Sequence, residues 1–266
     1  MNFINSNQNP VVKEIKALKE KKHREAKKLF FIEGIRFVEE ALGEKVQINK
    51  VLISDHLNEV NGGNEIIKKL ENSGFPLYML PHKLFKEISD TENPQGVLAV
   101  LNIKNYTFDD IRNENSFFVI LDSIQDPGNL GTIIRTADAA GATAVILSKG
   151  CVDLYNPKVL RSTMGSLFHI PVCYDQDIIE VMKEMKSIGV KLCAAHLEGS
   201  IDYFDLGSKE NVAIIIGNEA NGISESVKSE ADTLVKIPMP GRAESLNASV
   251  AAGLLIYEVA RNSLKE

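Results

Sequence analysis

The sequence predicts an α/β protein in two parts, the second a parallel sheet with helices on both faces. Three observations predict it. Strand-length apolar runs alternate with helix-length segments from Val46 onward. The runs of the second half, such as Phe117–Leu121 and Val212–Gly217, are apolar almost throughout, as strands covered on both faces must be. Between the halves, residues 102–115 are polar and offer few core candidates, which suits a linker. The expected domains are therefore 1–101 and 116–266.

Taken in order, the first element is basic. Val11 to Lys28 carries Lys13, Lys16, Lys19, Lys21, Lys22, Arg24, Lys27 and Lys28 against three Glu, with Val12, Ile15 and Leu18 at helical spacing. This predicts one amphipathic helix with a basic outer face, and both a solvated helix and a nucleic-acid contact fit that pattern. A second helical periodicity, Phe30, Ile35, Val38, Ala41 and Leu42, is closed by Gly43. Strand Val46–Ile53, helix Asn64–Asn72, strand Phe75–Leu80, helix His82–Ile88 and strand Gly96–Leu101 complete a small α/β unit.

In the second half, strands are expected at Phe117–Leu121, Ala144–Leu147, Ile170–Val172, Lys191–Ala195, Val212–Gly217 and Thr233–Ile237. Helices are expected at Leu130–Ala140, Pro157–Ser166, Ile178–Ile188, Ser224–Ala231 and Leu246–Asn262. The last is apolar nearly all round, which implies burial by its own sheet and by a second subunit.

Composition sets bounds on function. The 266 residues are 44% hydrophobic and carry a net charge of −6, so any basic surface for nucleic acid must be local. Cys151, Cys173 and Cys193 are odd in number and never form C-x-x-C, so neither a disulfide framework nor a metal site is suggested. MNFINSNQNP lacks a leader pattern, and no run approaches the ~20 apolar residues that span a bilayer. A cytoplasmic protein without membrane contact is expected.

Three segments carry chemistry. Leu121 to Gly141 runs from a strand through a Gly/Pro turn into a helix that Asn129 is placed to cap, leaving N–H groups and a dipole suited to an anion. Arg135 lies off the buried stripe, where the small Gly131 and Ala139 would admit a ligand; a structural salt bridge is the competing reading. Neither a dinucleotide fingerprint nor a Walker loop is present. The second segment, Ala213 to Ile223, ends a strand in a Gly-rich turn holding Gly217, Asn218 and Glu219, where ligands of open α/β sheets sit. An ordinary strand-to-helix turn fits equally. The third, Val235 to Arg261, places Asn247 in the first turn of a buried helix, as a cap or as a ligand contact.

Together, Asn129-Gly131-Arg135-Ala137, Gly217-Glu219-Gly222 and Ile237 through Ala251 resemble the three motifs of the SpoU/TrmH family of the SPOUT superfamily. Phe31–Arg36 and Ser89–Val97 resemble its frequent N-terminal substrate-binding domain, so the likeness covers nearly the whole chain. Ala220 departs from the family, many members having glycine there.

The resemblance implies an RNA ribose 2'-O-methyltransferase using S-adenosylmethionine, with a trefoil-knotted C-terminal α/β domain. It also implies a homodimer and an N-terminal α/β domain like that of the kink-turn-binding ribosomal proteins. Gly217, Ile237 and Leu246 match the family's largely main-chain cofactor contacts, with Asn218, Met239, Pro240 and Asn247 nearby. Arg135 matches the residue assigned to activate the hydroxyl; Asn129, Ser245 and Asn247 would orient it, and Glu219 would organise Arg135 or accept the proton. Ribosomal RNA is favoured over transfer RNA. A transfer RNA methyltransferase, a non-catalytic RNA-binding protein and an unrelated doubly wound nucleotide-binding enzyme are the alternatives.

Overall fold

The computed structural model describes residues 1–113, 116–206 and 211–263, which divide into two compact units, Met1–Lys104 and Asn105–Glu266. Residues 114 and 115, the last two of the expected linker, lie outside the described residues.

In the first unit the elements are β1 (Asn2–Phe3), α1 (Pro10–Leu18), α2 (Lys21–Lys27), β2 (Leu29–Glu33), α3 (Ile35–Gly43) and β3 (Ile48–Ser54), then α4 (Gly63–Glu71), β4 (Leu77–Leu80), α5 (His82–Ile88) and β5 (Val97–Asn102). The sheet order is β1-β4-β3-β5-β2, with β5 antiparallel to both neighbours and the other pairs parallel. Val12, Ile15 and Leu18 of α1 pack with Phe31, Leu52, Phe85 and Leu98 in its core.

Two sequence expectations change here. The basic helix is two helices, because Glu20 is extended and the buried Arg24 guanidinium donates to the Leu18 and Lys19 carbonyls, finishing α1 with side-chain hydrogen bonds. Much of its basic charge is also spent internally, Lys16 on Glu87, Lys19 on Asp90, Lys21 on Glu25 and Lys27 on Glu14. Among the described residues the side chains of Lys13, Lys22 and Lys28 have no such partner. Second, Phe30 begins no helix. The run Leu29–Glu33 is a strand on β5, and Gly34, at φ +108°, starts the turn into α3.

The second unit contains α6 (Phe108–Ile111), β6 (Phe117–Leu121), α7 (Pro127–Ala139), β7 (Ala144–Ser148), α8 (Pro157–Thr163), β8 (Val172–Gln176) and α9 (Ile178–Ser187). It continues with β9 (Lys191–Ala195), β10 (Ile201–Asp202), β11 (Val212–Ile216), α10 (Glu225–Glu230), β12 (Thr233–Lys236) and α11 (Ala248–Ser263). Seven parallel strands order as β10-β12-β9-β11-β6-β7-β8. β6, β7 and β11 are buried along their whole length, so helices cover both faces. The polar stretch before β6 hides core residues: a Thr107–Asp110 capping box starts α6, and Phe108 and Ile111 enter the core of this unit. The two-residue strands β1 and β10 are too short to show a period.

On α11, Ala252, Leu255, Ile256 and Val259 are buried, whereas Val250, Leu254 and Tyr257 remain 51%, 36% and 50% exposed on one stripe. Cys173 and Cys193 are buried free thiols, pushed up to about 12 and about 11 by burial, consistent with inert packing. Among the described residues no helix is long and apolar enough to cross a membrane.

Gly131 does not make room for a ligand, as its size suggested. It lets α7 touch α8, since a Cβ there would lie 2.4 Å from Ser162 Cβ and 2.7 Å from the Val159 carbonyl oxygen. Gly131→Ala should therefore lower stability by about 1–3 kcal/mol through overpacking. Urea denaturation checks this, and an unchanged midpoint refutes the close-contact account.

Candidate active site

Because all strands of the second sheet run parallel, the turns leaving β6, β11 and β12 lie at its carboxyl end, where open α/β sheets present ligand-binding loops. The first turn is organised by a residue that sequence reasoning passed over. Asp126, not Asn129, caps α7, accepting the Asn129 N–H at 2.8 Å, with Pro127 opening the helix. The Asp-Pro pair is the signal for that cap, an acceptor followed by a residue with no N–H to lose.

Relieved of capping, the Asn129 side chain is buried and joins two other motifs. Its Nδ2 donates to Glu219 Oε1 at 3.0 Å, and its Oδ1 accepts from Asn247 Nδ2 at 3.0 Å. Glu219 accepts further from the Gln125 and Asp126 N–H groups, each at 3.2 Å. Burial works to raise its pKa, but the hydrogen bonds from Asn129 and from backbone N–H groups outweigh it and hold the carboxyl below the ordinary range. The anion at the start of α7 is thus a carboxylate of the chain itself, and it favours that end of the helix dipole. Glu219 makes no hydrogen bond or ion pair with Arg135, so its expected grip on that arginine is replaced by a grip on the turn before it.

Asn247 takes the cap reading and adds a side-chain partner. Its Oδ1 caps α11, accepting from the Ser249 N–H at 2.9 Å and the Ser249 hydroxyl at 2.6 Å, while its Nδ2 reaches Asn129. Asn218 folds the second turn. Its Nδ2 donates to the Ser123 carbonyl at 2.8 Å, and its Oδ1 accepts from the Ala220 and Asn221 N–H groups. Gly217 has no room for a side chain: a Cβ would lie 2.2 Å from Gly222 C and Ile223 N. Ala220 is exposed and free of positive-φ strain, so its methyl group does not disturb the turn. The buried Asp122, also missed from sequence, accepts the Ser224 N–H at 2.8 Å and fixes the far side.

The remaining predicted residues stand apart from this chain of hydrogen bonds. Ile237, Met239 and Leu246 are half-buried on the third segment, and Pro240 and Ser245 are exposed. Arg135 is exposed on α7 and, among the described residues, makes neither hydrogen bond nor ion pair. The salt-bridge reading is removed, and Arg135 is an exposed cation on the same helix as Asn129.

Comparison with known proteins gives the family. Residues 116–257 match the model of the SpoU rRNA methylase family, and residues 9–99 match the MRM3-like substrate binding domain. The chain belongs to the SpoU rRNA methylase family. It is 38% identical over 259 residues, 97% of this chain and 99% of the relative, to the 23S rRNA (guanosine(2553)-2'-O)-methyltransferase RlmP of Bacillus subtilis. Its fold matches the AdoMet-bound rRNA methyltransferase of Sinorhizobium meliloti with a TM-score of 0.87 and 35% identity, covering 99% and 98% of the two chains. The SpoU methyltransferase AviRb of Streptomyces viridochromogenes, in complex with AdoMet, matches at 0.87 and 28%, covering 97% and 99%.

The pKa direction at Glu219 gives a signed expectation. A depressed carboxyl stabilises the fold above its unfolded value of about 4.3, and that contribution is lost as pH falls through the folded value. Asn129→Asp would instead face Glu219 with a second carboxylate, costing about 1–3 kcal/mol near pH 7. Its deficit against the wild type should shrink toward about pH 4.5, as one of the pair takes up a proton. Urea midpoints across that range decide it; a deficit independent of pH contradicts the contact.

Proposed function

We propose that this protein transfers the methyl group of S-adenosylmethionine to a ribose 2'-hydroxyl of ribosomal RNA. The observation that carries the reading is the Asn247–Asn129–Glu219 chain, which binds the three motif segments together, with Arg135 exposed further along the helix that carries Asn129. RlmP, similar over nearly the whole chain, supports ribosomal over transfer RNA as the substrate.

The residues present suit the cofactor. The Gly217–Gly222 turn offers main-chain groups with no side chain in the way at Gly217, and the half-buried Ile237, Met239 and Leu246 supply apolar surface for an adenine ring. When bound, S-adenosylmethionine supplies an electrophilic methyl group on a positively charged sulfur. Asn218 keeps the turn in shape through its bond to Ser123, and Pro240 restricts the loop that follows β12.

Arg135 holds the ribose-phosphate and stabilises negative charge developing on the 2'-oxygen; as a guanidinium it stays protonated and acts as a cation, not as a base. Asn129 and Asn247 hold the start of α7 against the start of α11, so that Arg135 projects from a fixed helix. Ser245, exposed just before Leu246, is available to orient the ribose. Glu219, already accepting three N–H groups, organises the turn. Positioning of this kind can supply several kcal/mol of barrier reduction, on the order of 7 or more when alignment is good.

The reading extends to the whole molecule. Residues 1–101 form the RNA-recognition domain and 116–266 the methyltransferase domain, whose chain is knotted around the cofactor; of the connection 102–115, Phe108 and Ile111 join the core of the second unit. The protein works as a cytoplasmic homodimer, paired through the exposed Val250, Leu254 and Tyr257 stripe, an apolar surface that a monomer would leave in water.

Two experiments test these roles. Arg135→Ala should keep cofactor affinity within about twofold by calorimetry yet lose at least about 100-fold in methyl transfer to a 23S rRNA transcript, in line with the loss of one transition-state contact; full activity sinks the assignment. Leu254→Glu should convert the dimer to monomer in sedimentation, whereas an unchanged mass moves the interface elsewhere.

A further inference from the structure

We propose that the stacked imidazoles of His56 and His82 in the first unit form a platform on which an unpaired base of the RNA lies flat. This rests on the reading of RNA as substrate and names one place where the first unit grips it.

The two rings are parallel, with centroids 4.9 Å apart and planes 9° from each other. They sit at the end of the first sheet where β2, β3 and β4 finish and β5 begins, as the Glu33–Leu98, Ile53–Val97 and Ser54–Leu80 pairings place them. The pair is built. The buried Ser54 places its Oγ 3.2 Å from His82 Nδ1 and accepts the His56 N–H at 3.2 Å, and Asp55 Oδ1 accepts the His82 N–H at 2.8 Å. A Cβ at Gly96 would lie 3.0 Å from Ser54 Cβ, so this turn packs hard against the base of the pair.

Around it, the two segments that resembled a substrate-binding domain meet. Glu33 accepts from the Ser89 and Thr91 hydroxyls and the Asp90 N–H, and Gln95 Oε1 accepts the Ile35 N–H at 2.9 Å. These bonds hold the loops of the sheet end as one surface. His56 stands on that surface with its side chain 54% exposed.

Chemistry selects the ligand. The rings are stacked, so their nitrogens do not converge on one point as a chelated ion requires. Carboxylates flank His56, Asp55 and Glu59 each at 3.9 Å from a ring nitrogen, which disfavours a phosphate directly on it. A flat aromatic surface remains, and single-stranded RNA is read by stacking its splayed bases on such side chains. Phosphate contacts fall to the first turns of α3 and α5, where the exposed Arg36 and Lys83 make no hydrogen bond or ion pair among the described residues.

The test uses the full-length protein and a mixed-sequence 12-nucleotide RNA carrying one 2-aminopurine. His56→Ala should weaken binding of the single strand by about tenfold and abolish the stacking-dependent quenching of 2-aminopurine, whereas His56→Phe should restore both. An unchanged far-ultraviolet circular dichroism spectrum and urea midpoint in each variant show that the first unit is folded. Unchanged RNA affinity in His56→Ala overturns the platform, as does a Phe variant as weak as the Ala variant. Adenosine monophosphate binding as tightly as the strand also overturns it, since the ligand would then be a free nucleotide. If the wild type binds this RNA through His56 but transfers no methyl group to ribose in a 23S rRNA transcript, the proposed function fails while the platform stands.

Discussion

The second unit depends on one buried amide. Asn129 donates to a carboxylate from the turn after β11 and accepts from the residue that begins α11, so three segments far apart in sequence share a single pair of side-chain atoms. A buried amide with neither partner would cost more than its bonds yield, and with both it admits one arrangement of the segments. Everything chemical in the unit follows from that arrangement. The helix that carries Arg135, the turn that begins at Gly217 and the loop that leads into Asn247 are held in one register.

Much of the architecture was legible in the sequence because burial on two faces leaves a strong trace. β6 and β9 fall on their expected residues, and β7, β11 and β12 within one, since each is a short apolar run bounded by turn residues. Failures occurred where a local device overrode periodicity. Arg24 ends a helix by hydrogen bonding two carbonyls, which no pattern of apolar spacing records. Leu29–Glu33 reads as helix when Phe30 is aligned with Ile35, but the positive φ at Gly34 separates the two. Phe108 and Ile111 were lost in a polar stretch because a four-residue helix shows too little of its period.

Within the site, residue identity was easier to read than residue role. The motif spacings singled out Asn129, Glu219 and Asn247, yet a spacing does not say which atom faces which. Asn129 was taken for a cap because Asp126 sits in the same stretch and competes for the same N–H groups. The resemblance gives Glu219 to Arg135 or to the proton, whereas geometry gives it the backbone of the preceding turn. Gly131 reads as an opening for a ligand, and Gly217 as a main-chain cofactor contact. One proves to be a helix contact and the other a turn closure, although the second still clears the way to main-chain groups.

The central strands pair across long stretches of chain, β6 with β11, and the Asn129 amide waits for a partner 118 residues further on. Such pairings are slow to form, because the loop must close before any contact rewards it. During synthesis, therefore, the first unit can fold while the second is still a set of unpaired strands. The arrangement around Asn129 arises only after α11 has been made, so the second unit reaches its single register later than the first in the life of each new chain.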